Sequence, residues 1–268
     1  MTDQAMTRPF AVVTGASSGI GRALAREFAR QGFDLLLTAP DAPLADAARE
    51  VAALGAGVET SAADLATYDG VEQFYAAIAG AARPVEAIAI NAGVGLGGAF
   101  VGGTDLRAEL ALIQLNIASS VHLAKRVLPA MVARGAGRVL FTSSIEALMP
   151  GPFEACYAAS KAFLLSFAGA LRSELQDTGV TITALLPGAT DTPIFHRANM
   201  GDTLVGKAPK DDPDDVAGQA VAALLAGNER IVAGSLVTKA IGAVAKILPD
   251  AVNAELHRQT SKPRPHRH

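Results

Sequence analysis

The sequence predicts an α/β fold, a doubly wound parallel sheet in a single domain, and three features carry that reading. Short apolar runs alternate with longer segments of helical periodicity along the chain. A glycine cluster stands directly after the first apolar run, where a strand would turn into a helix. No internal repeat, low-complexity linker or compositional break interrupts the pattern before residue 193.

Taken in order, Phe10 to Thr14 reads as a buried strand, followed by a helical pattern over Gly21 to Gln31 and a second strand over Asp34 to Thr38. Ala63-Asp64-Leu65 follows a third strand, and Val85 to Ile90 forms a fourth. Leu106 to Arg134 predicts a long helix, Arg138 to Thr142 a strand, Ala158 to Asp177 a helix and Thr181 to Leu186 a strand. Pro193 to Pro213 has little periodicity and contains Gly201, Gly206 and Pro209, which marks a lid or an irregular loop. Asp214 to Leu225 resumes as a helix and Arg230 to Ala233 as the last strand. Residues 8–235 therefore make the domain. Residues 236–256 form an extension whose core, Leu236 to Leu248, is an amphipathic helix stopped by Pro249. Its apolar face is expected to pack on the body, the alternatives being another subunit or a membrane surface. Residues 257–268 carry Arg258, Lys262, Arg264, Arg267 and three histidines without an acidic residue, and are expected to be a disordered basic tail.

Half of the residues are apolar and 18% are charged, the balance of a globular protein with a sizeable core. A formal net charge of -3 gives no electrostatic reason to expect nucleic acid as a partner. The one cysteine, Cys156, cannot form an internal disulfide and fits a reducing compartment. It reads as a small buried neighbour of Tyr157 rather than a redox group. Met1 to Pro9 lacks the basic and apolar regions of a secretory signal, and no apolar run is long enough to span a bilayer. The expected location is the cytoplasm.

Two motifs carry chemistry. Thr14-Gly15-Ala16-Ser17-Ser18-Gly19-Ile20-Gly21 spaces three glycines so that the backbone turns tightly and a helix N-terminus faces a pyrophosphate, which makes the sheet Rossmann-like. Tyr157-Ala158-Ala159-Ser160-Lys161 places a phenol and an ammonium at i and i+4, on one helix face. An adjacent ammonium favours the phenolate, so the tyrosine is expected to titrate below its usual value of about 10, toward neutrality. Ser144, thirteen residues upstream, would hydrogen-bond the same substrate oxygen. Such a set exchanges a proton with an alcohol or a carbonyl.

Together with Asn91-Ala92-Gly93, Asn116 and Pro187-Gly188, these residues resemble the short-chain dehydrogenase/reductase family in its compact single-domain branch. The resemblance spans residues 8 to 235. It implies that Gly15, Ser17, Ser18, Gly19, Ile20 and Gly21 line a nicotinamide dinucleotide's diphosphate and adenosine ribose. Asp64 and Leu65 would meet the adenine, while Asn91, Ala92 and Gly93 close the crevice. Tyr157 is implied as general acid/base and Lys161 as the group that lowers its pKa and holds the nicotinamide ribose. Asn116 would keep a water in a relay behind the lysine, or bridge backbone. Pro187, Gly188, Thr190 and Thr192 would orient the carboxamide. Of the adjacent Ser143 and Ser144, which point to opposite faces of a strand, the thirteen-residue spacing selects Ser144. The three-residue gap between Tyr157 and Lys161 disfavours the enoyl-reductase branch.

The family's acidic NAD selector is replaced by Ala39 and the arginine of NADP-binding relatives by Pro40, with Ser18 where many NADP-dependent relatives are basic. With Asp41 next and no cation expected in reach, NAD is favoured over NADP, although Asp41 could simply cap the following helix. Val94 to Phe100, Ile145 to Phe153 and the lid would wall a largely apolar pocket. Glu146 and Glu154 read as solvated surface positions. The expected function is NAD(P)-dependent interconversion of an alcohol and a ketone or aldehyde, on a moderately lipophilic small molecule. The alternative is a nucleotide-binding regulatory or scaffold protein on the same fold. The resemblance further implies a homodimer or homotetramer, paired through the helices at Leu106 to Arg134 and Ala158 to Asp177.

Overall fold

The computed structural model describes residues 8–262. Seven strands form one parallel sheet: β1 (Phe10–Thr14), β2 (Asp34–Thr38), β3 (Val58–Ser61), β4 (Val85–Ile90), β5 (Gly137–Thr142), β6 (Val180–Pro187) and β7 (Arg230–Ala233). Their spatial order is β3-β2-β1-β4-β5-β6-β7. The chain winds outward from β1 to β3, returns to the far side of β1 and winds outward again. The reversal between β1 and β4 opens a crevice at their carboxyl ends, the place where doubly wound sheets bind ligands.

Residue alternation explains the layering. Ala11 and Val13 of β1 join a core with the helices α1 (Gly19–Arg30), α2 (Leu44–Ala53) and α9 (Pro213–Leu225), whereas Phe10 and Val12 face the opposite core. That second core is closed by α3 (Tyr68–Gly80), α5 (Ser119–Arg134) and α6 (Ala155–Glu174). Because both faces are covered, the inner strands are apolar throughout rather than alternating. The edge strand β3 is the exception, with Glu59 and Thr60 exposed.

Several elements differ from the sequence expectation. The long helix from Leu106 is broken into α4 (Leu106–Ile113), a π-helical segment (Gln114–Ala118) and α5. The hydroxyls of Ser119 and Ser120 donate to the carbonyls of Leu115 and Asn116, side-chain bonds of the kind that bend helices. The lid contains two single turns, α7 (Ile194–Arg197) and α8 (Leu204–Lys207), and its base is pinned where Asp191 N and Asp211 N donate to Asp211 O and Ala189 O. The C-terminal extension is two helices, α10 (Leu236–Ala245) and α11 (Asp250–Ser261). Residues 257–261 are thus helical, not a disordered tail, because His257 and Ser261 pack into the body. Residues 263–268 of the expected tail lie outside the described residues. The apolar stripe of α10 packs on the body only in part: Ala245 is buried beside Thr238 and Gly242, and Ile241, Val244 and Leu248 line a cavity, while Leu236 and Val237 are exposed. No helix among the described residues is long and apolar enough to cross a membrane.

Candidate active site

A cavity of about 1220 Å³ lies at the carboxyl ends of the strands, roofed by the lid and flanked by α10 and α11. Every residue expected at the cofactor lines it: Gly15, Ser17, Ser18, Gly19, Ile20, Gly21, Asp41, Asp64, Leu65, Asn91, Ala92, Gly93, Tyr157, Lys161, Pro187, Gly188, Thr190 and Thr192. Ser144 lines it too. Asn116, fully buried, sits behind the wall.

The β1–α1 turn is built by its glycines. Gly15 adopts φ +67° and Gly19 φ +54°, both in the left-handed region that side chains disfavour. A Cβ on Gly21 would lie 2.1 Å from the Gly15 carbonyl oxygen. Thr14 welds the turn to the end of β4, since its Oγ1 accepts from Asn91 N and Ala92 N at 2.9 Å each. The Asn91 amide is consumed in the same frame, donating to Thr14 O at 3.0 Å and accepting from Thr142 Oγ1 at 3.0 Å. At the end of β2, Thr38 Oγ1 and Asp41 Oδ1 are buried without a hydrogen-bond partner among the described residues. Orphaned acceptors beside a glycine cradle fit a dinucleotide with ribose hydroxyls to donate. Asp41 does not stand apart from cations as expected. The lid brings Arg197 Nη2 to 3.9 Å from its Oδ2.

Tyr157 and Lys161 share a face of α6, and Lys161 Nζ lies 5.6 Å from the centre of the phenol ring. Nζ donates to Thr142 O at 2.9 Å and faces Gly93, where a Cβ would lie 3.4 Å from it. Burial brings the Lys161 ammonium down to about 8, against a smaller upward pull from Glu146. The Tyr157 phenol is pushed well above its ordinary value, foremost by burial and further by the carboxylates of Glu146 and Glu154, with Ser144 pulling the other way. The expected fall toward neutrality is therefore not met in this arrangement, where burial and the two carboxylates set the direction. Burial and Glu109 push the Cys156 thiol up to about 11, the state of an unreactive thiol.

Ser143 and Ser144 follow the end of β5 and both line the cavity, but Ser143 Oγ is committed to the helix, donating to Lys161 O at 2.7 Å. Asn116 bridges backbone: its Oδ1 accepts from Val94 N, and its Nδ2 donates to Val94 O and Ser160 Oγ. Ser160 Oγ in turn donates to Tyr157 O at 2.7 Å. The π-helical segment thus holds the first turn of α6 through two hydrogen bonds. Thr14 and Ser160 stand inside the two motifs without a role assigned from sequence, and Thr142, at the end of β5 just before Ser143, was not singled out at all; all three help build the site.

Glu146 and Glu154 are not solvated surface positions. Glu154 is 3% exposed, and both carboxylates line the cavity beside Tyr157. Burial and the neighbouring Glu146 push the Glu154 carboxyl up to about 9. His257 of α11 faces both. Sequence distance hid this cluster, since His257 follows Glu154 by about a hundred residues.

Residues 9–202 match the family model described as short chain dehydrogenase. An uncharacterised oxidoreductase of Staphylococcus saprophyticus is 35% identical over 216 residues, covering 80% of this chain and 90% of that protein. The structure of a short-chain dehydrogenase from Sphingobium yanoikuyae in complex with NADPH superposes with a TM-score of 0.78 at 31% identity, covering 84% of this chain and 87% of that one. A short chain dehydrogenase/reductase from Burkholderia phymatum in complex with NAD shares the fold over 96% of this chain and 98% of its own, with a TM-score of 0.81 at 24% identity.

Proposed function

Because this chain belongs to the short-chain dehydrogenase/reductase family and is an NAD(P)-dependent oxidoreductase acting on CH–OH groups, we propose that it interconverts a secondary alcohol and a ketone, or a primary alcohol and an aldehyde, at Ser144, Tyr157 and Lys161. The observation that carries this reading is the convergence of those three side chains on one cavity with the glycine turn. The glycine turn and Gly188 would hold a nicotinamide dinucleotide, which when bound would supply or accept the hydride. Tyr157 exchanges the proton of the substrate oxygen, and Ser144 holds that oxygen against the phenol. Lys161, aimed at the gap beside Gly93, holds ribose hydroxyls and stabilises the phenolate as it forms. Asn116 acts as a positioning residue, through Ser160 and the backbone of Tyr157.

Gly15, Ser17, Ser18, Gly19, Ile20 and Gly21 form the diphosphate cradle, with Asp64, Leu65, Asn91 and Ala92 around the adenosine and Thr190 and Thr192 near the carboxamide. The unpartnered oxygen of Asp41 is an acceptor for a ribose 2′-hydroxyl and would repel a 2′-phosphate, so NAD is favoured over NADP. Matched NADH and NADPH titrations followed by fluorescence test this. Tighter NADPH binding that is lost in Arg197→Ala would instead make Arg197 the reader of a 2′-phosphate. The substrate is a moderately lipophilic small molecule that also carries a polar group, because Ile145, Met149 and Ile241 wall a cavity that contains Glu146 and Glu154. A second copy of the chain is the proposed partner, as homodimer or homotetramer. The cytoplasm is the proposed location, which cell fractionation checks.

A further inference from the structure

We infer that Glu146, Glu154 and His257 form a divalent-cation site at the wall of the substrate cavity. One ligand atom from each lies within 4.8 Å of the others. His257 Nε2 stands 3.6 Å from Glu154 Oε2 and 3.8 Å from Glu146 Oε2. Those separations are too long for hydrogen bonds, which a histidine–carboxylate ion pair would form at about 2.7–2.9 Å. They are close to the spacing of two ligands that each sit about 2.0–2.2 Å from a common ion. Two carboxylates held beside one another are costly unless one takes up a proton or a positive charge lies between them.

The surrounding hydrogen bonds also suit a metal. His257 Nδ1 lies 3.2 Å from the Pro152 carbonyl oxygen, which can only accept, so Nδ1 is the donor and Nε2 is the ring atom turned toward the two carboxylates. The His257 side chain is 7% exposed, so this orientation is locked by packing. Ser261 Oγ donates to Glu154 Oε2 at 3.0 Å, orienting the second ligand from outside. Glu146 Oε2 is buried and has no hydrogen-bond partner among the described residues. One imidazole and two carboxylates suit Zn²⁺ or another first-row divalent ion, and three protein ligands leave a coordination position for a substrate oxygen. The site is assembled only when α11 docks, so the C-terminal extension would be coupled to the cavity through the ion.

Occupancy is measured without turnover, so the outcome is independent of the reaction assigned to Tyr157. The full-length chain carrying His266→Ala and His268→Ala, which removes two further histidines from the measurement, is stripped with chelator and titrated with Zn²⁺ by calorimetry. The expected result is one Zn²⁺ per chain, with affinity at least about tenfold weaker in His257→Ala and in Glu154→Gln, and unchanged in the exposed control Glu255→Gln. Absence of Zn²⁺ binding, or binding that both variants retain in full, overturns the site. If either variant fails to fold, the visible spectrum of Co²⁺ added to the His266→Ala/His268→Ala chain decides. Strong four- or five-coordinate absorption supports the site, and the spectrum of hydrated Co²⁺ overturns it.

Discussion

Tyr157 is positioned by its backbone as much as by its ring. Its carbonyl accepts from Ser160, which is held by Asn116, and the next turn of the helix is tied to β5 through Ser143 Oγ on Lys161 O. Lys161 shows what this placement costs. Its folded value of about 8 lies below the ordinary value of 10.5, so as pH falls the unfolded chain takes up this proton first. The destabilisation grows as pH drops from 10.5 and is complete below about 8. The gap corresponds to about 3 kcal/mol. Lys161→Met is therefore expected to gain stability relative to the parent by up to that amount between pH 10.5 and pH 7, read from urea unfolding at each pH. A difference that stays constant with pH would mean that the ammonium is solvated in the folded chain.

At the scale of elements, the β1–α1 turn has the least tolerance for added atoms. Gly21→Ala drives a methyl into the Gly15 carbonyl and is expected to cost about 1–3 kcal/mol together with cofactor binding. Gly218→Ala in α9 meets nothing within 4 Å and is expected to stabilise by about 0.5–1 kcal/mol. Urea unfolding and cofactor titration of the two variants check the contrast. These elements were legible in the sequence because their physics is local: glycine spacing builds the turn, and an i,i+4 pair needs only a helix. The π-helical break after Ile113 was not legible, since the bond of Asn116 to Ser160 joins residues 44 apart. Nor was α11 as a wall of the cavity. Its sequence is largely polar, and it folds back through the buried contact of His257 and Ser261 with Glu154.

For the whole molecule, one feature points beyond a single chain. Leu106, Leu110 and Ile113 of α4 and Phe163 of α6 are exposed apolar groups on the elements expected to pair subunits. Light scattering is expected to report a dimer or tetramer, and Leu110→Glu with Phe163→Glu to shift it toward monomer. A monomeric parent chain would contradict that assembly. In the proposed reaction Tyr157 would pass the proton of the substrate oxygen while a bound cofactor would carry the hydride. Its most direct test is turnover of a panel of alcohols and ketones by the parent chain and by Tyr157→Phe, with cofactor affinity measured on both. Tyr157→Phe is expected to turn over about 10²–10⁴-fold more slowly, with cofactor dissociation constants alike. A variant that turns over at the parent rate would contradict it.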